Sequence, residues 1–295
     1  MSDASQDSPA LKERALAAWF RARGSVLVGF SGGVDSAYLA VTAADSLGAA
    51  NVLAVLGVSG AVARDVHERA RRLADEFGVP LREIATHELD DADYVANRGD
   101  RCYFCKQELW HRLVPIAHES GLATIVDGTI ADDLHEHRPG HAAGVTAGVR
   151  SPLAECGFTK SDVRRAARAR GIPLWDAPAS PCLASRLAVG VTVTSARLAN
   201  VEHAEAALRA LGVTGDLRVR HLGDAARIEL LPAQIDAWLA PARRAQLARA
   251  VVGAGFTRVL LDTRGYRRGA LQEPGVSPAN AVIDLTADTP ALVQS

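Results

Sequence analysis

The sequence predicts an α/β fold: a doubly wound parallel sheet joined to a smaller C-terminal α+β domain. Three observations predict it. Short candidate strands at residues 26–30, 52–56, 81–85 and 123–127 alternate with helical patterns, the arrangement that buries parallel strands between helices. The first run ends in a Ser/Gly turn that leads directly onto a helix, and ligands in such sheets sit at the carboxyl ends of strands. Beyond Pro181 the order changes to helix, strand, strand, helix, strand, which reads as a separate compact module.

Taken in order, a helix is expected from about Leu11 to Arg23, then the buried strand Val26-Leu27-Val28-Gly29-Phe30. A helix follows through Ala37, Tyr38, Leu39 and Val41, with Gly48 at its C-cap position. After the strand at 52–56, Val62, Val66, Ala70, Leu73 and Phe77 recur at helical spacing, and Gly78 and Pro80 end that helix. The runs at 81–85 and 123–127 complete the sheet, the latter closing on Gly128-Thr129. Thr159 and Asp162 form a capping box that opens another helix, stopped by Gly171. The proline-rich stretch Asp176–Pro181 marks the boundary between a domain at 1–180 and one at 181–295. In the second, helices are expected at about 195–211 and 233–250, with strands at 217–222, 226–231 and 258–262.

Basic and acidic residues nearly cancel, 33 against 34, which favours a small-molecule substrate over nucleic acid, because backbone-gripping proteins carry a basic surplus. The acidic, polar start does not read as a signal peptide, and no run is long and uncharged enough to span a bilayer. The chain is therefore read as cytoplasmic, without a membrane partner, and its composition permits a homo-oligomer. In that compartment four cysteines point to metal binding or catalysis rather than disulfides.

The chemistry starts at Ser31-Gly32-Gly33-Val34-Asp35-Ser36. Gly32 and Gly33 let backbone amides surround an anion, and the helix dipole adds attraction for phosphate. Ser31 and Ser36 supply hydroxyls, while Asp35 can cap the helix or help hold Mg²⁺. This is not a Walker A motif, since no Lys-Ser/Thr follows a longer glycine loop. It resembles the PP-loop of the ATP-pyrophosphatase superfamily, whose members bind the β,γ-phosphates there and transfer AMP to an acceptor oxygen.

Cys102 and Cys105 form a Cys-x-x-Cys pair, Cys182 lies at the domain boundary, and Cys156 stands apart. A zinc site completed by Cys156 and His111, a dithiol redox pair, and a three-thiolate [4Fe–4S] site are each compatible with this set. Cys156 reads best as inert packing; Cys182, beside Ser185 and Arg186, does not. Arg218 and Arg220 alternate along a strand, so both point to one face and could clamp a phosphate, the alternative being a solvated strand face.

These runs, with Asp127-Gly128-Thr129, Asp132-Asp133, Arg138-Pro139-Gly140, Ser151-Pro152-Leu153, Thr159-Lys160, Pro181–Arg186, Arg218–His221, Arg227-Ile228-Glu229 and Gly265-Tyr266-Arg267, resemble the LarE family of ATP-dependent sulfur transferases in nickel-pincer cofactor biosynthesis. One departure is Ile130, where PP-loop relatives often carry Asn. The resemblance implies a PP-loop ATP-pyrophosphatase domain and a reaction in two stages. A carboxylate of a pyridinium dicarboxylate mononucleotide is adenylated, with release of pyrophosphate, and sulfur then displaces AMP to give a thiocarboxylate.

It implies ATP and Mg²⁺, with Ser31, Gly32, Gly33, Asp35, Ser36, Gly128 and Thr129 binding ATP. It also implies Cys182 as the catalytic cysteine, Arg218, Arg220, Ser185 and Arg186 around the substrate phosphate, and Glu229 as a divalent-cation ligand. Family members with a lone cysteine at the Cys182 position surrender its sulfur and leave dehydroalanine. Cys102 and Cys105 resemble the added ligands of members that hold a [4Fe–4S] cluster together with that cysteine, and this cluster type is favoured. The competing expectations are a tRNA-thiolating PP-loop enzyme that uses a cluster and a non-catalytic ATP-binding module.

Overall fold

A computed structural model of the protein describes residues 8–135, 139–177, 181–267 and 281–287. The polar start at 1–7, Arg138 of the Arg-Pro-Gly run, and residues 178–180 of the expected boundary lie outside them. The chain forms two compact units: residues 1–94 with 100–180, and residues 95–99 with 181–295.

The first unit is built on four parallel strands, β1 (Val26–Gly29), β2 (Val52–Val58), β3 (Leu81–Ala85) and β4 (Thr124–Val126), in the order β3-β2-β1-β4. Val26, Leu27 and Val28 are fully buried, as a central parallel strand requires when helices cover both faces. On one face α1 (Pro9–Arg21), α2 (Val34–Leu47) and α3 (Arg64–Glu76) enclose Leu16, Phe20, Tyr38, Leu39 and Leu73. On the other, α5 (Arg101–Glu119), which follows the short α4 (Ala92–Ala96), sets Trp110 and Leu113 against Leu27 and Val55. Gly48 ends α2 with φ 79°, a conformation that favours glycine.

After β4 come α6 (Pro139–Thr146), α7 (Pro152–Glu155) and α8 (Lys160–Ala169). The α8 capping box is present: Thr159 accepts from the Asp162 amide, and Asp162 accepts from the Thr159 amide at 3.1 Å.

In the second unit α9 (Ser195–Ala210) is followed by a mixed sheet of β5 (Leu217–His221), β6 (Ala225–Leu230), β7 (Arg258–Asp262) and β8 (Val282–Asp284), in that order. The pairings are antiparallel, parallel and antiparallel. The single helix expected at 233–250 is broken into α10 (Ile235–Leu239) and α11 (Pro241–Val252). Pro241 is the cause: it lacks an N–H and clashes with the preceding turn, so it starts a new helix instead of continuing one. The inserted segment 95–99 is tied in by main-chain bonds, Gly190 N–H to Asn97 O and Val193 N–H to Val95 O, both 2.9 Å. The Asn97 amide also donates to the carbonyls of Ala188 and Val191.

Candidate active site

In the first unit β1 delivers the chain to the Ser31–Ser36 turn, and Gly33 is the N-cap of α2. Having no side chain, Gly33 leaves the amides of the first helical turn without a side-chain acceptor, facing any anion that approaches along the axis. Gly32 has φ 71°, and a Cβ on it would lie 2.8 Å from the Ala70 Cβ of α3, so only glycine permits this turn and this approach together. Ser36 is buried, and its hydroxyl is spent on the turn itself. It donates to Gly33 O at 3.1 Å and accepts from the Ser31 amide at 3.2 Å, with the Ser31 hydroxyl 3.1 Å away.

The end of β4 closes on this turn. A Cβ at Gly128 would sit 2.9 Å from the Ser36 amide nitrogen, so the two backbones are in direct contact. Asp127 orders the loop by accepting from the Thr129 amide (3.1 Å), the Thr129 hydroxyl (2.9 Å) and the Ser151 hydroxyl (2.8 Å). Beyond it, Ala154 N–H donates to Thr129 O and Ala131 N–H to Phe158 O. The Lys160 amide then donates to Asp132 at 2.7 Å. These ties fix the start of α8, and Lys160 Nζ reaches both oxygens of Asp35, at 2.8 and 2.7 Å. Ile130, by contrast, is a core residue.

The sequence predicts one ATP site from Ser31, Gly32, Gly33, Asp35, Ser36, Gly128 and Thr129, and the fold brings Gly128 against Ser36. Lys160, Asp127 and Ser151 were not among the expected site residues. All three lie in runs that carry the family resemblance: Asp127-Gly128-Thr129, Ser151-Pro152-Leu153 and Thr159-Lys160.

In the second unit Cys182 precedes a short 3₁₀ turn, Leu183–Arg186. Its carbonyl accepts from the Ser185 amide (3.0 Å), the Ser185 hydroxyl (2.7 Å) and Arg186 Nη1 (3.1 Å). Arg186 also donates to the Pro181 carbonyl, and its Nε and Nη2 grip Glu205 at 3.1 Å each. Its charge is thus directed at Glu205 and main-chain oxygens. Arg220 Nη1 donates to Ser185 O at 3.3 Å, linking the cysteine turn to β5.

Arg218 and Arg220 are both buried, so the solvated-face alternative is excluded. Glu229 is fully buried, and both its oxygens are taken: Arg220 Nε donates to Oε2 at 3.0 Å and Arg227 Nη2 to Oε1 at 2.9 Å. A cation at Glu229 would have to share each oxygen with a guanidinium, or take the place of one. Arg186 thus pairs with Glu205, Arg220 and Arg227 share Glu229, and the buried Asp262 lies near enough to Arg227 to be affected by its charge. Burial, and then the nearby Arg186, lower the pKa of Arg218, whose guanidinium lies over the Tyr266 ring at 5.1 Å. An anion beside Arg218 would oppose that lowering.

Cys102 and Cys105 lie three residues apart in the first turns of α5, on one helical face, the former exposed and the latter half-buried. Cys156 packs against the first unit's core, and burial raises its thiol pKa. The tetrahedron of Cys102, Cys105, Cys156 and His111 does not form: among the described residues no group of three His, Cys, Asp or Glu side chains is arranged for a metal ion. No described helix is long and apolar enough to cross a membrane.

A family model described as NAD synthase matches residues 18–103, which include the Ser31–Ser36 turn. The chain is 37% identical over 264 residues to the pyridinium-3,5-bisthiocarboxylic acid mononucleotide synthase of Lactiplantibacillus plantarum, covering 90% of this chain and 95% of that one. It is 40% identical over 245 residues to an uncharacterised protein of Synechocystis, covering 83% and 91% respectively. An uncharacterised protein of Methanocaldococcus jannaschii is 25% identical over 242 residues, covering 82% and 90%. With this extent of match, and with the glycine-opened turn in place, the chain belongs to the LarE family of PP-loop, ATP-dependent sulfur transferases.

Proposed function

We propose that the chain converts a carboxylate of a pyridinium dicarboxylate mononucleotide to a thiocarboxylate at the expense of ATP. The observation that carries this reading is the uncapped start of α2, closed over by Gly128 and flanked by the Lys160–Asp35 pair. The open amides hold the β,γ-phosphates, and Lys160 adds positive charge where pyrophosphate leaves. Asp35 is the acid that meets the accompanying Mg²⁺, and Ser31, Gly32, Gly33, Ser36, Gly128 and Thr129 shape the pocket.

A substrate carboxylate oxygen attacks the α-phosphorus, and the bond to the bridging oxygen breaks to release pyrophosphate. A sulfur nucleophile then adds to the acyl carbon, and AMP departs with the C–O bonding pair. The substrate's own phosphate is met by Arg218, Arg220, Ser185 and Arg186. Among these, Arg218 gains most from an anion, because burial and neighbouring arginines disfavour its charge. Glu229 acts here as the counter-charge that orients Arg220 and Arg227.

Cys102 and Cys105 on one helical face, with Cys182 as a third thiol, match in chemistry the donor set of a [4Fe–4S] cluster with one open iron, but among the described residues no three such side chains are arranged around a metal position. Were the three thiols to gather on it, the cluster would supply a transferable sulfide. Without it, Cys182 gives up its own sulfur: its Cα proton leaves, the Cβ–S bond breaks, and dehydroalanine remains.

Anaerobic reconstitution with iron and sulfide, followed by multiple-turnover assays, tests the reading. Cys102→Ala is expected to abolish the cluster absorbance and limit the enzyme to at most one turnover, with a loss of about one H₂S from Cys182 by mass spectrometry. Full multiple turnover by Cys102→Ala would overturn the cluster assignment. Absence of pyrophosphate release from ATP in the wild type would overturn the adenylation itself.

A further inference from the structure

The nucleotide reading accounts for the phosphates but assigns no residue to the sugar. Glu88 lies just past β3, and Ser59 just past β2. Thr86 N–H donates to Val58 O, so the two strands end flush at the sheet edge where β1 delivers its phosphate turn. Glu88 is only 3% exposed. Its Oε1 is fixed by the Ser59 hydroxyl at 2.5 Å, and Ser59 in turn accepts from the Ala61 amide at 3.1 Å. Its Oε2 is buried and, among the described residues, has no donor.

A carboxylate held on one side and buried without a donor on the other is an unsatisfied acceptor, and leaving such an oxygen unsatisfied is costly. The segment at 59–63 runs from β2 into α3, the helix on which Gly32 packs at Ala70 and Val66, so this loop and the phosphate turn border the same helix. In the order β3-β2-β1, β3 is two strands from β1, about 10 Å across the sheet, and β2 and β3 run three residues past the Gly29–Val55 level at which β1 ends, about 10 Å further along the strands. Glu88 therefore lies on the nucleoside side of the phosphate turn, at the reach of an extended nucleotide. In dinucleotide-binding doubly wound sheets an acidic side chain beyond the phosphate-binding turn takes a ribose hydroxyl.

We propose that Glu88 is a specificity-determining residue: its Oε2 accepts a hydrogen bond from the ribose diol of ATP, with Ser59 setting its orientation. The inference rests on the proposed ATP site. The experiment is equilibrium binding of Mg²⁺ complexes of ATP, 2′-deoxy-ATP, 3′-deoxy-ATP and purine riboside triphosphate to the full chain and to Glu88→Ala. Glu88→Gln, which keeps the shape and the Ser59 contact, serves if alanine fails to fold.

The wild type is expected to bind ATP about tenfold or more tighter than at least one deoxy analogue, and the variants to bring that ratio within about twofold. Loss of discrimination against purine riboside triphosphate instead would place Glu88 at the base and overturn the assignment. So would a wild type that ignores the missing hydroxyls, or a folded variant that still rejects the deoxy analogues. If the wild type binds no ATP at all, the phosphate-site reading falls with the proposal; if it binds ATP and only the ratio is unmoved, the sugar assignment falls alone.

Discussion

Gly128→Ala probes the contact on which the nucleotide site depends. Gly128 does not have a positive φ, so alanine meets no backbone strain there, only a steric obstacle. The added Cβ would lie 2.9 Å from Ser36 N, 3.1 Å from Ser36 Cα and 3.2 Å from the Asp35 carbonyl carbon. All three are main-chain atoms, which cannot swing aside as a flexible side chain would. Ordinary contact begins at 3.4 Å, so the β4 loop and the start of α2 must separate by about 0.5 Å, that is 3.4 minus 2.9.

Overpacking of this kind costs about 1–3 kcal/mol, and each kcal/mol lowers the melting temperature by about 2–4 °C in a unit of this size. The catalytic effect is the larger one. Misplacing reacting groups by about 1 Å costs roughly a hundredfold in rate, so half that shift should slow pyrophosphate release about tenfold. Gly48→Ala is the control. Its φ of 79° makes alanine strained by about 1 kcal/mol, yet nothing lies within 4 Å of the new Cβ, so stability should fall and activity should not. A Gly128→Ala protein that melts with the wild type and releases pyrophosphate within twofold of it would refute the contact argument.

Two further outcomes follow from the buried charges. Burial pushes the Asp162 carboxyl upward, but the Lys12 ammonium at 2.9 Å and the donors of Thr159 outweigh it and hold the pKa at about 2. Because the folded value lies below the unfolded one, the stabilisation is complete above about pH 4 and is lost as pH falls toward 2. Asp162→Asn should therefore cost about 2 kcal/mol at pH 7 and progressively less below pH 4, measured by urea unfolding; equal stability at pH 7 would refute this. Glu229→Gln removes the counter-charge that Arg220 and Arg227 share in the second unit's core and should cost about 3 kcal/mol, partly restored by added phosphate or sulfate. A melting curve unchanged by the substitution would show that the guanidiniums find other partners.

The elements that carry the nucleotide were legible because their signals are local. An apolar run at 26–30, two glycines and a following helix lie in one stretch of sequence, and the capping box at Thr159 and Asp162 spans four residues. Pro241 was a local signal too, and it outranked the helical periodicity on both sides of it. What could not be read was long-range. Lys160 meets Asp35 across 125 positions, through a chain of loop contacts that no period or motif encodes. The alternation of Arg218 and Arg220 gave their common face, but whether that face was wet or buried depended on the packing of Glu205 and Glu229 around them. Glu88, in the stretch after β3, carries no motif at all.

The short piece at 95–99 has a consequence for how the chain can be divided. Because it belongs to the second unit, the polypeptide passes between units three times, after residues 94, 99 and 180. Cutting at the obvious seam near 180 would strip Ala188, Gly190, Val191 and Val193 of the partners that Val95 and Asn97 provide. During synthesis the same piece leaves the ribosome about eighty residues ahead of the rest of its unit, so the later unit cannot be completed without a segment delivered early. Neither half is an independent cassette, and a graft that moves one must carry a fragment of the other's sequence with it.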